Sequence, residues 1–370
     1  MKKKLFGAVA LAAVAGLLLA GCSTGRGGDP ASSGDSADAP AAAIDADARI
    51  GVALPDKTSE NWVLAGDLFV DGLQEAGFTD DVQYAGSASA VQDQQAQIET
   101  MIQNGAQVIV IGAADTSQLG SQLQAAKDAG ITVIAYDRLI QDTPNVDYYI
   151  AFDNYKVGEL QGQALIDGMK ERFGEQDSYN IELFSGSPDD SNAPVFFEGA
   201  MSVLQPLIDD GTLNVVSGQT EIAQTATQDW LAENAQERMD NLIQQNYSDG
   251  TELHGVLSPN DTLARAILAS ASDAGLETPV VTGQDSEVES VKSIMAGQQY
   301  STISKDTRKL VADTIELIQQ LQQGETPTTE PMDNGSTEVP SVLLDPVIVT
   351  KDNAAEVYAD DPNLAPLTEG

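Results

Sequence analysis

The sequence predicts an α/β protein built as two lobes, each a parallel sheet with helices on both faces. Short β-branched runs alternate with longer amphipathic stretches from Arg49 onward. The alternation runs through once and starts again near residue 157, which gives two successive α/β sets. The chain's 370 residues are too many for one compact core and suit two domains plus a leader.

In the first set, Arg49–Leu54 reads as a strand and 61–76 as a helix ended by Gly77. A strand at 82–84, a helix at 90–104 before Gly105 and a buried strand at 108–112 follow. Then come a helix at 118–129 before Gly130, a strand at Thr132–Tyr136 and another at 146–152. Glycine just past each helix fits a left-handed C-terminal closure. In the second set the helices fall at 157–173, 193–209, Ala232–Asn246 and 262–274, with strands at 180–184, 213–217, Gly255–Leu257 and 280–282. A third block holds 286–296, a strand at 300–303 and a helix at 307–323. Residues 325–335, rich in Pro, Thr and acids, read as a loop, and 339–349 as a last extended segment limited by Pro340 and Pro346.

The N-terminus has the form of a leader. Lys2, Lys3 and Lys4 precede an apolar run over 5–20 that is short for a membrane span, and Leu19-Ala20-Gly21-Cys22 follows. This resembles the lipobox of bacterial lipoproteins. Residues 1–21 are expected to be removed and Cys22, the chain's single cysteine, to carry the lipid. Residues 22–47, rich in Gly, Ser, Ala and Asp, read as a flexible tether. One cysteine forbids an intrachain disulfide, and the single histidine, His254, has no cysteine near it. A histidine–cysteine zinc cluster and a Cys-His catalytic pair are excluded, no metal site or cofactor is expected, and the acidic clusters lack calcium-loop spacing. A net charge of −39 argues against nucleic acid as partner.

In open parallel sheets ligands bind beyond the carboxyl ends of the strands, and two facing sheets make a cleft. Those ends carry Trp62, Asp115, Asp137-Arg138, Asn154, Asp189 through Asn192, Trp230, Asn260-Asp261, Gln284-Asp285 and Lys305. Asp accepts hydrogen bonds, Arg and Lys donate them, and Asn or Gln do both, a set suited to a ring of hydroxyl groups. One tryptophan in each lobe suits the C–H faces of a pyranose. Each of Asp56, Ser59, Asp153, Asp190, Asn260 and Asp306 precedes a helix and is equally explained as an N-cap, whereas capping does not explain Arg138 or Lys305.

Ala-Tyr-Asp-Arg-Leu ending at Leu139, Phe152-Asp153-Asn154, Ser258-Pro259-Asn260-Asp261 and Gly283-Gln284-Asp285 resemble motifs of the periplasmic sugar-binding proteins of ribose, galactose and xylose type. Within that family the likeness is to the xylose-binding and ChvE-type multiple-monosaccharide-binding branch. Gly186-Ser187-Pro188-Asp189-Asp190 and Val339-Pro340-Ser341 extend it, over roughly 48–350. The resemblance implies a type I periplasmic binding protein, with two Rossmann-like lobes joined by three crossing segments. The first lobe is expected at 48–153 and 286–327, the second at 154–285 and 328–362. It implies ligand contacts from Trp62, Asp115, Asp137, Arg138, Asn154, Asn192, Trp230, Asp261, Gln284, Asp285 and Lys305, with a hinge role left open for Gln284. One departure stands out: the ChvE-type pattern has an arginine before the first tryptophan, and here Asn61 occupies that place.

The expected function is capture of a monosaccharide for an ABC importer's membrane subunits, by a lipid-anchored monomer on the outer face of the membrane. The sugar stays open among the xylose, glucose, galactose and arabinose class. Two alternatives remain: a sensor that shows its closed form to a receptor, and a glycosidase. A glycosidase needs two carboxyls about 5–10 Å apart, a pairing that acidic chains offer freely.

Overall fold

The computed structural model describes residues 43–369 except positions 56, 58 and 87. The leader, Cys22, most of the expected tether and Asp56 lie outside the described residues.

The first lobe alternates β1 (Arg49–Leu54), α1 (Glu60–Glu75), β2 (Thr79–Tyr84), α2 (Ala90–Gln103), β3 (Val108–Ile111), α3 (Gly120–Asp128), β4 (Thr132–Tyr136) and β5 (Tyr148–Phe152). The second contains α4 (Asn154–Phe173), β6 (Tyr179–Leu183), α5 (Asn192–Asp209), β7 (Leu213–Val215) and α6 (Ile222–Thr225). A 3-10 turn over Gln228–Trp230 precedes α7 (Ala232–Asn246), β8 (Gly255–Leu257), α8 (Asp261–Asp273), β9 (Val280–Val281), α9 (Val288–Met295) and β10 (Ser301–Ser304). The chain returns to the first lobe for α10 (Thr307–Gln322), β11 (Glu330–Asp333) and β12 (Glu338–Leu344). It ends in the second with β13 (Val347–Thr350), α11 (Ala354–Val357) and α12 (Ala365–Thr368).

The large sheet runs β11-β12-β5-β4-β3-β1-β2, parallel except for β11 at its edge. The smaller parallel sheet runs β7-β6-β8-β9, and β10 pairs antiparallel with β13. The central strands are fully buried because helices cover both faces, as their unbroken Val-Ile-Val-Ile and Thr-Val-Ile-Ala-Tyr runs require. Helix α1 buries Ala65, Gly66, Phe69 and Leu73, one face at helical spacing, against Val52, Ile134, Val311 and Ile318. Phe69 meets Tyr136 edge to face at 5.2 Å. Its burial alone contributes about 2–3 kcal/mol.

Three segments cross between the lobes, after β5, after β10 and after β12. Their placement corrects the expected domain limits. Residues 286–304 belong to the second lobe, because α9 packs on α8 and α12 and Asp285 N donates to Ile303 O. Residues 328–344 belong to the first, because β12 pairs with β5. The expected loop at 325–335 contains the edge strand β11, and Pro346 separates β12 from β13 within the expected last segment. Among the described residues no helix is long and apolar enough to cross a membrane.

Candidate functional site

A cavity of about 440 Å³ lies between the lobes. Each sheet reverses its strand order, between β1 and β3 in one and between β6 and β8 in the other. The cavity sits beyond the carboxyl ends of those strands. The first lobe supplies Asn61, Trp62, Tyr136, Asp137 and Arg138; the second supplies Asp190, Asn192, Phe196, Trp230, Gln284 and Asp285; Lys305 comes from the second crossing.

The two tryptophans are seated by glycine. A Cβ on Gly112 would lie 2.8 Å from the Trp62 ring, and one on Gly186 would collide with the Trp230 ring. Each indole packs on its own lobe's core with one side and lines the cavity with the other. The Arg138 guanidinium stands 5.5 Å from the Trp62 ring, and Lys305 Nζ 5.6 Å from the Phe196 ring.

Ion pairs hold both cations. Arg138 Nε meets Asp190 Oδ2 at 2.9 Å, and Lys305 Nζ meets Asp285 Oδ1 at 3.0 Å. Asp190 Oδ2 also accepts from Trp230 Nε1 at 3.2 Å. Burial pulls the Lys305 ammonium down, but Asp285, Asp137 and Asp190 outweigh it and leave its pKa raised. Burial raises the Asp137 carboxyl, against the pull of Lys305 and Arg138 and with the push of Asp190 and Asp285. Gln284 Nε2 donates to Pro259 O at 2.6 Å, while its buried Oε1 has no donor among the described residues.

Backbone strain gathers here too. Among the described residues six non-glycine residues have positive φ, and four of them line the cavity: Asp137 (63°), Asp229 (56°), Trp230 (54°) and Asp285 (96°). Such conformations cost about 1–3 kcal/mol each and cluster where a side chain must be aimed.

Eight of the eleven sequence-selected positions line the cavity: Trp62, Asp137, Arg138, Asn192, Trp230, Gln284, Asp285 and Lys305. Three stand apart. Asp115 sits in the loop after β3, where its Oδ1 accepts from Ser117 N and Oγ at 2.8 and 2.7 Å. Asn154 lies behind the wall, donating to Asn192 Oδ1 at 2.9 Å and Tyr149 OH at 3.2 Å. Asp261 is fully buried, accepting from Gln299 Nε2, Thr302 Oγ1 and Glu287 N at 2.7, 2.9 and 3.0 Å. Those three bonds tie α8 to β10 and the start of α9, so its carboxylate serves the second lobe's interior.

The N-cap alternative also divides. Ser59, Asp153, Asn260 and Asp306 each cap a helix, and Ser59 and Asn260 line the cavity as well. The contact set implied by the resemblance omits Asp189, Asp190, Asp229 and Phe196, all of which line the cavity. Asp190 was visible as one of four successive polar residues after β6, and Phe196 as the residue one helical turn beyond Asn192. Asn61 lines the cavity where the family pattern has arginine; its Nδ2 reaches Asp285 O at 3.4 Å. Among the described residues no cluster of acids, histidine or cysteine forms a metal site.

Two α/β lobes facing a polar, aromatic-walled cavity, with three chain crossings beside it, define a solute-binding protein. The sequence belongs to the periplasmic binding protein domain family, whose model matches residues 50–326. It is 47% identical over 330 residues to the multiple sugar-binding periplasmic receptor ChvE of Rhizobium radiobacter, covering 87% of this chain and 92% of that one. It is 36% identical over 315 residues to the D-xylose-binding periplasmic protein of Escherichia coli K12, covering 85% and 90%. Among solved structures, an ABC transporter solute-binding protein from Clostridium phytofermentans with bound β-D-glucose matches with a TM-score of 0.81 at 39% identity, covering 87% of this chain and all of that one. The chain is a binding protein of this family rather than an enzyme, which sets aside the glycosidase alternative.

Proposed function

We propose that this protein is the lipid-anchored, extracytoplasmic receptor of an ABC-type importer and that it takes an aldose of the glucose and xylose class in the interlobe cavity. One observation carries the reading: an interlobe cavity that combines a tryptophan from each lobe with paired cations and carboxylates at the strand ends. Arg138 and Lys305 donate to ring hydroxyls, Asp137 and Asp285 accept from them, and Gln284 Oε1 offers a buried acceptor. Trp62 and Trp230 pack on the C–H faces of the ring. Asp115, Asn154 and Asp261 are outside this contact set. The bound glucose of the Clostridium protein and the xylose in the name of the Escherichia coli protein support the sugar class.

Sugar that touches both lobes favours the closed form, which the membrane subunits then read. Import is preferred to sensing because solved neighbours, among them one from Chloroflexus aurantiacus with D-glucose (TM-score 0.77, 32% identity), are named as transporter solute-binding proteins. The positive start, apolar run and Leu19-Ala20-Gly21-Cys22 support the anchor. A thermal-shift panel of glucose, galactose, xylose, arabinose, fucose and ribose tests the ligand class. At least one aldohexose or aldopentose raises the melting temperature; a flat response to all six overturns the proposal. Labelling cells with a radioactive fatty acid tests the anchor, and Cys22→Ala abolishes the label.

A further inference from the structure

The last three residues of the loop between β6 and α5 and the first residue of α5 each bond to the opposite lobe. Asp189 O accepts from Thr116 N and Thr116 Oγ1, both at 3.3 Å. Asp190 Oδ2 pairs with Arg138 Nε at 2.9 Å. Ser191 Oγ donates to Leu139 O at 2.8 Å. Asn192 Nδ2 donates to Asp137 O at 3.0 Å. All the partners lie in the loops after β3 and β4 of the first lobe.

Two details mark these contacts as more than incidental closeness. Ser191 occupies the N-cap position of α5, where serine ordinarily accepts from the helix's first free N–H groups, yet it makes no capping bond. Its hydroxyl is turned across the cleft. The Arg138–Asp190 pair is also well shielded, with side chains 14% and 4% exposed, so salt screens it little.

We propose that residues 189–192 form an interlobe latch that holds the closed form by bonds needing no sugar, and that Thr116 and Ser191 tune affinity from outside the cavity. The proposal rests on the reading of the cleft as a sugar site. Bonds that exist only in the closed form raise its population in the sugar-free protein. Apparent affinity scales with the fraction of molecules already competent to bind. Thr116 and Ser191 are absent from the cavity lining, whereas Asp189, Asp190 and Asn192 belong to it. Changes at the first two therefore separate the latch from direct contact with ligand.

The test is Thr116→Val with Ser191→Ala in the full chain. Single-molecule fluorescence measures interlobe distance without sugar, and titration calorimetry measures affinity for the best sugar of the panel. Losing the two hydroxyl bonds lowers the closed-to-open ratio about twenty-five-fold, at a factor of about five for each bond. Affinity falls with it, by no more than that factor. Thr251→Val removes a hydroxyl bond confined to one exposed turn and leaves both readouts as in the wild type. An unchanged closed-to-open ratio overturns the latch, and a loss of affinity larger than the loss in ratio overturns its independence of the ligand. If the double variant fails to fold, Ser191→Ala alone, at a half-buried position, carries the same test. A wild-type protein that binds no sugar defeats the functional reading, while the sugar-free distances still decide the latch.

Discussion

Asn260 and Asp261 are neighbours after one strand, yet they face different environments. Asn260 caps α8, its Oδ1 accepting from Leu263 N at 2.9 Å, and it lines the cavity. Asp261 is the first residue of the helix, about 100° further round it, and its carboxylate enters the lobe's interior. The sequence shows that polar residues crowd a strand end. Which way each one points depends on the helix phase set by packing, which the sequence does not display: Asp261 turns inward while Asp190 lines the cavity. The distinction is measurable. Trp230→Ala removes one cavity wall and weakens sugar binding by about 2 kcal/mol, roughly thirtyfold in Kd. Asp261→Ala strips the acceptor from three buried donors and lowers stability by about 2 kcal/mol, while affinity in the folded protein changes less than about threefold. Calorimetric titration and urea unfolding on both variants give the comparison, and equal affinity losses would refute it. Gly186→Ala drives a methyl group into the Trp230 ring and weakens binding by about 1–3 kcal/mol, which the same titration reads.

At the level of elements, the sequence was most legible where burial imposes a run. The strands Arg49–Leu54, Thr132–Tyr136 and Gly255–Leu257 and the helix Ala232–Asn246 fall where periodicity puts them, because a strand covered on both faces and an amphipathic helix leave unmistakable patterns. The edge strand β11 reads Glu-Pro-Met-Asp, with no alternation, and owes its existence to β12 beside it. Lobe membership was illegible for a similar reason. Nothing local in 286–304 says which sheet it joins; the contacts of α9 with α8 and α12 decide that. Helix α1 binds the two levels together. Its Phe69 supports Tyr136, which lines the cavity and leads directly into Asp137-Arg138. Phe69→Ala opens a cavity in the first lobe and lowers its stability by about 3–5 kcal/mol. Urea unfolding followed by far-ultraviolet circular dichroism checks this; a loss below about 1 kcal/mol would show that the core closes over the gap.

For the molecule as a whole, charge sets the response to pH. Fifty-seven acidic residues face eighteen lysines and arginines, for a net charge of −39, so self-repulsion opposes the compact state at neutral pH. Four inward carboxyls act in the same direction. Burial raises Asp137, Glu182, Asp261 and Glu287; Asp261 is pushed further by Glu287 and Asp285, and Arg265 partly restrains Glu287. A carboxyl with a higher pKa folded than unfolded binds its proton more tightly in the native protein. Stability therefore falls as pH climbs from the ordinary carboxylate range, about 4, through the raised values, and it recovers as pH falls back. The lowered carboxyls, Asp210, Asp249 and Glu289, are held down chiefly by hydrogen bonds to Thr212, Thr251 and Lys292, and they lose their contribution only below the ordinary range. Between pH 8 and pH 5 the two larger effects run together. The melting temperature of the sugar-free protein rises over that interval, by about 1–2 °C for each kcal/mol given an unfolding entropy of about 2 cal/mol/K per residue. In 1 M salt the Debye length shrinks to about 3 Å and surface repulsion is screened, while desolvation of the four inward carboxyls is untouched, so part of the slope survives. Calorimetric melts at pH 8, 7, 6 and 5, with and without salt, decide it. A melting temperature that falls steadily toward pH 5 contradicts the raised carboxyls, and a slope abolished by salt assigns the whole effect to surface charge.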